Sequence, residues 1–396
     1  MKKVLIFKPS DYLKPIGGPA GYLFNLKEGI DLIETSDLQI DFLPKASRKR
    51  YGIEKLKKNL VIKKMIASKT YNAFKHYFKI KRDIQSKNQC SIDLNSYDVI
   101  HFHTTLDLYR MRDYISEYRG KVVLTPHSPE PLYQELVGKM GIMKLIDHSI
   151  LNLLMDVDKY AFMRADYIVI PCEYADEYYL ETWADYEAIK KLKSKNYLYL
   201  FTGVQKRGIE KPREIIREEY NIPKDAFVVG FVGRHNKTKG YDRLLRIGKT
   251  ILQKYKDIYF LVGGLERPFK GLKNKKWIEV GWTDHPQDLI NACDVFALPN
   301  KETYFDIVLL EAISLGKIVI ASNTGGSKIF ANNEGVKLFE NEAECVEIID
   351  QLKSLPKDIF DRISEKNIEL YDNSFNEKVF AEHYIELMDS IIVGKN

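Results

Sequence analysis

The sequence predicts an α/β fold in which parallel strands alternate with helices in two successive units, and three observations carry that prediction. Apolar runs with no inside–outside alternation, among them Lys3–Phe7, Tyr97–His103, Phe227–Val232 and Lys317–Ala321, read as strands buried on both faces. Such runs lead into glycine- or proline-bearing loops and then into segments of helical spacing, a βα rhythm shared by both halves. The chain has 396 residues, enough for two domains of ordinary size that each bury a core.

The first unit opens on Lys3–Phe7, a strand too short and too soon polar for a signal peptide. Pro9–Gly21 is a loop holding Pro15, Gly17, Gly18 and Pro19, and Tyr22–Leu32 reads as a helix. Strand, glycine loop and helix make the start of a dinucleotide-type unit, although glycine loops are mostly just tight turns.

Residues 45–87 are the compositional outlier. They hold fifteen Lys or Arg against Glu54 and Asp83, a net +13 in a chain whose total is +6. Leu60, Ile62, Met65, Ile66, Tyr71, Phe74, Tyr77 and Phe78 give the segment an apolar side. The pattern predicts an interfacial segment, apolar face down on an anionic membrane surface. The plainer reading is a solvated helix pair packed on the sheet by the same residues. Nucleic acid is not expected as a partner, since no nucleic-acid module accompanies the patch.

Tyr97–His103 ends in His103, and Lys121–Thr125 leads into PHSPEP with His127 and Glu130. The two prolines stiffen the placement of His127. Met140–Met163 is an apolar helical region, Asp166–Pro171 a parallel strand and Tyr174–Lys195 a helix. Tyr197–Phe201 then leads into a Thr202–Gln205 turn.

The second unit restarts the alternation. After Phe227–Val232 comes a basic loop with Arg234 and Lys239 before a helix over Tyr241–Tyr255. A guanidinium fork and an ammonium at a helix N-terminus suit a diphosphate. Ile258–Val262 and Trp277–Gly281 follow, the latter leading into Trp282 and Thr283. From Asp294 to Ser327 the order is strand, polar loop, helix over Tyr304–Leu315, strand, and a loop with Gly325 and Gly326. Glu302 and Asp306 lie near the helix start, where carboxylates also complement the helix dipole. Glu311 sits in an apolar LLEAI run, and a lone carboxylate buried there needs a partner.

This last stretch resembles the signature of the retaining glycosyltransferases of family 4, E-x7-E followed by an EAMAxGxPV-like strand and a GG loop. Glu311, the EAISLGKIVIAS run and Gly325–Gly326 match. The position eight before Glu311 is Thr303, Glu302 is one residue too far, and Asp306 stands where the family has glycine. The first role therefore falls to Glu302 through a one-residue bulge or to Asp306. His127 also matches a family histidine that lines the donor-sugar and acceptor cleft, and Arg234 and Lys239 match a GR…KG element.

The resemblance implies a GT-B architecture, two Rossmann-like domains with parallel sheets facing across a cleft. Residues 1–203 would be the acceptor-side domain and 204–374 the nucleotide-sugar domain. The last helix, with Phe375, Phe380, Tyr384 and Leu387, would brace the first. It implies His127 with Glu302 or Asp306 at the donor sugar, and Gly17, Gly18, Arg234 and Lys239 on the diphosphate. Trp282, Thr283 and Glu311 would hold the nucleoside, with His103 and Glu130 on the acceptor side. The implied reaction is sugar transfer from a nucleotide diphosphate sugar with retention, needing no metal and no cofactor beyond that substrate. A glycan or polyprenyl-linked acceptor is expected. A non-catalytic partner of another transferase and a sugar-nucleotide epimerase are the alternatives.

No apolar run reaches the ~18–20 residues that span a bilayer. Cys90, Cys172, Cys293 and Cys345 form no metal or redox spacing and read as reduced core residues. A cytoplasmic enzyme peripheral to the inner face of the membrane is the expectation.

Overall fold

The computed structural model describes residues 1–8, 13–15, 18–34, 37–43, 69–86, 92–141 and 143–394. The first sheet comprises β1 (Lys2–Phe7), β2 (Leu38–Phe42), β3 (Val99–Phe102), β4 (Lys121–Leu124), β5 (Tyr167–Ile170) and β6 (Tyr197–Tyr199). Its order is β2-β1-β3-β4-β5-β6 and every pairing is parallel. The second comprises β7 (Phe227–Val232), β8 (Ile258–Gly263), β9 (Trp277–Gly281), β10 (Val295–Leu298), β11 (Ile318–Ser322) and β12 (Val336–Phe339). Its order is β12-β11-β10-β7-β8-β9, again all parallel. This is the two-domain, Rossmann-like GT-B arrangement.

The absence of alternation in the strands has its physical cause in helices on both faces. Leu5 and Phe7 of β1 enter one core with Ile100 and Phe102 of β3, while Val4 and Ile6 enter another with Val99 and Val123. In the second domain Val229 and Phe231 join Phe260 and Val262 on one side, and Phe296 and Val319 pack on the other. The period of two is present, with apolar residues at both phases. The sequence reading missed β2 and β12. Both are edge strands, with four of the five residues of β2 and two of the four of β12 only half-buried, and polar side chains interrupt their apolar signal.

Several expected helices are shorter or divided. The expected 140–163 helix splits into Met143–Ile146 and Ser149–Arg164, and the expected 174–195 helix into Glu177–Thr182 and Tyr186–Leu192. The expected C-terminal helix over 375–396 is a single helix, Glu377–Val393, preceded by a separate one. Lys357–Ser374 packs on the second domain, Asn376 caps a new helix by accepting from the Val379 amide at 2.9 Å, and Glu377–Val393 runs over the first. Phe380, Tyr384, Met388 and Ile391 are buried in the core that holds Val4 and Ile6, whereas Phe375 stays with Phe296 and Phe330 of the second domain. The crossing lies beside the join between the domains: Val204 donates to the Phe375 carbonyl at 2.8 Å, and Tyr371 Oη donates to the Val204 carbonyl at 2.8 Å.

Of the basic 45–87 segment, residues 45–68 and 87 lie outside the described residues. Lys69–Gln85 is a helix whose Tyr77, Ile80 and Ile84 pack against Met140, Ile150 and Leu154. Tyr77, expected on a lipid-facing side, is thus part of the core. Phe74 and Phe78 remain 50% exposed and pack on each other with centroids 4.7 Å apart. No described helix is long and apolar enough to cross a membrane. Cys172, Cys293 and Cys345 are buried free thiols, and Cys90 is outside the described residues.

Candidate active site

In the second sheet β7 pairs with β8 on one side and β10 on the other, so the winding reverses between β7 and β10. Loops leaving such a switch point on opposite sides open a crevice at the carboxyl ends of the strands. Two loops meet there, 233–240 after β7 and 299–306 after β10. Gly240 holds them together. It has φ +60 at the head of the Tyr241–Lys254 helix, and a Cβ there would lie 1.6 Å from the Pro299 carbonyl oxygen. The Lys301 amide donates to the Thr238 carbonyl at 3.0 Å beside it.

This contact brings Lys239 to Asp306, with Nζ 2.7 Å from the carboxylate. Asn300 Nδ2 donates to the same oxygen at 2.5 Å. Asp306 precedes the first helical residue, yet its side chain makes no capping bond. The helix runs over Ile307–Ser314, three residues later than the spacing suggested. Two contacts hold 303–304 out of it. The Thr303 carbonyl lies against Gly325, which has φ +47 and whose Cβ would come within 1.9 Å of that oxygen. The Tyr304 ring is buried in the first domain's core beside Tyr179. Thr303 itself is buried.

Glu302 is half-buried, and no described residue pairs or hydrogen-bonds with its carboxylate. Burial pushes its proton affinity up, and Glu181 of the first domain adds to the shift. Glu130 is likewise raised by burial and then by Glu302. The fold therefore brings these two carboxylates, one from each domain, within electrostatic reach of each other.

Glu311 lies within the Ile307–Ser314 helix with 19% of its side chain exposed. Burial pushes its carboxyl up to about 7, the Asp306 charge adds to this, and Arg207 opposes it. Arg207 is 3.6 Å from its Oε1. The sequence reading did not single out Arg207, which stands in the linker between the domains with no motif around it. Arg234 is exposed and without a side-chain partner among the described residues. Trp282 is 66% exposed with its indole N–H 3.4 Å from Asp284, and Thr283 Oγ1 accepts from the His285 amide at 3.0 Å.

On the first-domain side the switch lies between β1 and β3. Gly18 is exposed, with φ +80, and heads the Pro19–Ile30 helix. Gly17 is outside the described residues. His127 follows β4, with Nε2 2.9 Å from His103 Nδ1 and its ring edge-on to Tyr22. Burial, first, and then neighbouring charge hold both imidazoles well below their ordinary range, so both are neutral. His103 is fully buried, which corrects its expected place facing an acceptor: it stands behind His127 and supports it. His101 is fixed between Tyr384 Oη at 3.0 Å and Thr125 Oγ1 at 2.8 Å.

A further residue bridges the two domains. Glu177 of the first domain accepts from the Gly325 amide at 2.7 Å and pairs with Lys328. It too was not legible in the sequence, because its partners lie about 150 residues away in the chain.

Residues 212–369 match the family described as Glycosyl transferases group 1. The chain is 24% identical over 318 residues to a 41.2 kDa protein in the cps region of Klebsiella pneumoniae, covering 76% of this chain and 81% of that one. It is 26% identical over 240 residues to the O-antigen biosynthesis glycosyltransferase WclY of Escherichia coli, covering 58% and 62% respectively. Among solved structures it is similar to sucrose-phosphate synthase from Thermosynechococcus elongatus, with TM-score 0.65, 16% identity and both chains fully covered. It is also similar to Anabaena Alr3699/HepE in complex with UDP and glucose, with TM-score 0.63, 14% identity and 98% and 100% coverage. The chain thus has the two-domain GT-B fold, and its second domain carries the match to glycosyl transferases group 1.

Proposed function

We propose that the protein is a retaining glycosyltransferase that moves a sugar from a nucleotide diphosphate sugar to a glycan or lipid-linked acceptor in cell-surface polysaccharide biosynthesis. The observation that carries this reading is the Lys239–Asp306 ion pair at the β7/β10 switch point, between two loops that also carry Arg234 and Glu302, with Glu311 on the adjoining helix. The named activity of WclY and the UDP complex of the Anabaena protein support the same class.

In this reading the exposed Arg234 guanidinium takes the diphosphate, with Lys239 released to it from Asp306. Together they neutralise the charge that grows on the leaving phosphate, without a metal. Glu311 accepts from the ribose hydroxyls, with Trp282 and Thr283 flanking the base. Glu302 accepts from donor-sugar hydroxyls, and neutral His127, held by His103, adds a hydrogen bond at the sugar. Asp306 acts through Lys239. As the C1–O bond to phosphate breaks, the acceptor oxygen bonds to C1 from the same face. The acceptor proton passes to the departing phosphate oxygen. Glu130, opposite Glu302, lies on the acceptor side.

The exposed Phe74 and Phe78, on a helix carrying Lys75, Lys79 and Arg82, support docking on an anionic membrane surface where a polyprenyl-linked acceptor would lie. In this reading the protein is a peripheral enzyme of the cytoplasmic face. The buried Thr303 at the first motif position favours a second reading, a non-catalytic partner of another transferase. A thermal-shift screen of UDP-, GDP-, dTDP- and ADP-sugars, followed by a transfer assay with the binder, tests both. Binding with turnover supports the enzyme, and a folded chain that binds none of them is a partner.

A further inference from the structure

We propose that Arg207 is a positioning residue that holds the Glu311 carboxylate ready for the nucleoside and ties it to the loop after β1. The proposal rests on the reading of Glu311 given above. Arg207 lies in the interdomain linker, its guanidinium 3.6 Å from Glu311 Oε1, and Nη2 donates to the Pro15 carbonyl of the first domain. Two residues earlier the Gln205 amide donates to Asn25 Oδ1 at 3.0 Å, so the linker itself is pinned to the Pro19–Ile30 helix. Arg207 and Glu311 line one small cavity with Gln205, Gln287 and Ser314, and the buried Gln287 Oε1 has no partner among the described residues.

The charges around Glu311 leave Arg207 a distinct role. Asp306, from the loop before the helix, repels it and is itself paired with Lys239. The helix Pro286–Ala292 offers the uncharged Gln287 to the cavity, and the loop after β1 offers the Pro15 carbonyl to Arg207. Arg207 is the cation paired with Glu311 among the described residues. At 3.6 Å it is an electrostatic partner rather than a close hydrogen bond, so the carboxylate keeps lone pairs free for ligand hydroxyls. Without it, burial favours the protonated acid, a poorer acceptor.

The test is calorimetric binding of UDP to the full chain at pH 7 and pH 9, with GDP and ADP as further probes. Comparing variants at one pH cancels the ionisation of the nucleotide. Because Arg207 lowers the Glu311 proton affinity, Arg207→Gln should bind several-fold more weakly than wild type at pH 7 and nearly as tightly at pH 9. Arg207→Met should behave alike and serves if Gln disturbs the linker. Arg207→Lys should stay near wild type, and Glu311→Gln should bind weakly at both values. A deficit equal at both pH values, or none, overturns the positioning role while leaving the nucleotide site standing. Absence of binding by wild type to all three nucleotides overturns both.

Discussion

Lys239 and Asp306 form a 2.7 Å ion pair that joins the loop after β7 to the loop after β10 across the switch point of the second sheet. Their side chains are 24% and 8% exposed, so neither charge is well solvated. In the proposed reaction Lys239 leaves this pair for the diphosphate. Asp306→Asn should therefore cost the empty protein about 1–3 kcal/mol, because a mostly buried cation loses its counter-ion. UDP should raise the melting temperature of this variant more than that of wild type. An equal rise in both would remove Lys239 from the diphosphate.

Arg234 presents the opposite case, exposed and unpartnered among the described residues. Arg234→Gln should leave unfolding free energy within about 0.5 kcal/mol of wild type. It should weaken nucleoside diphosphate binding about 10–100-fold, the range of a charge-assisted contact worth about 1.5–3 kcal/mol. Binding of the bare nucleoside should change little. The comparison is made by calorimetry with UDP and uridine.

The histidines set an acid limit on stability. His101, His103 and His127 are all held below the ordinary histidine value of 6.5 by burial. In the unfolded chain they take up protons below pH 6.5 while the folded imidazoles stay neutral, so their stability is present above 6.5 and lost as pH falls. Each such group should cost about 1.4 kcal/mol by pH 5.5. Urea titrations at pH 7.5 and 5.5 should show that loss, and His103→Gln should show less of it. The rate profile should carry no limb near 6.5 from His127.

Glu311 acts in the opposite sense. Its folded carboxyl, pushed up to about 7, keeps a proton that the unfolded chain releases near 4.5, so stability falls as pH rises through that window. The full penalty is on the order of 3 kcal/mol above pH 7 as an upper bound. Glu311→Gln should be more stable than wild type at pH 8, with the difference shrinking at pH 5, while nucleotide binding is lost. Equal unfolding free energies at pH 8 would contradict the burial argument.

The Lys69–Gln85 helix should bind anionic liposomes through Phe74 and Phe78. Replacing both by Ser removes about 1–2 kcal/mol each, since half of each ring is already covered. Sedimentation with anionic and neutral vesicles measures it, and equal recovery on the two would defeat membrane docking.

The sequence by itself determined the parallel α/β character and most of the central strands, and it put Arg234, Lys239 and Glu302 in loops and Glu311 on a helix. These are local properties: apolar residues at both phases of a strand, and charged residues in the loop that follows. The edge strands β2 and β12 escaped because half-buried strands carry polar residues. Only the tertiary structure decided that Lys239 meets Asp306, that Arg207 meets Glu311, that Glu177 reaches Gly325 and Lys328, and that His103 lies behind His127. Each of these contacts joins residues 24 or more apart in sequence, and two of the four bring different domains or the linker together. Local spacing carries no record of such partners, because the approach is set by how the two sheets and the linker pack.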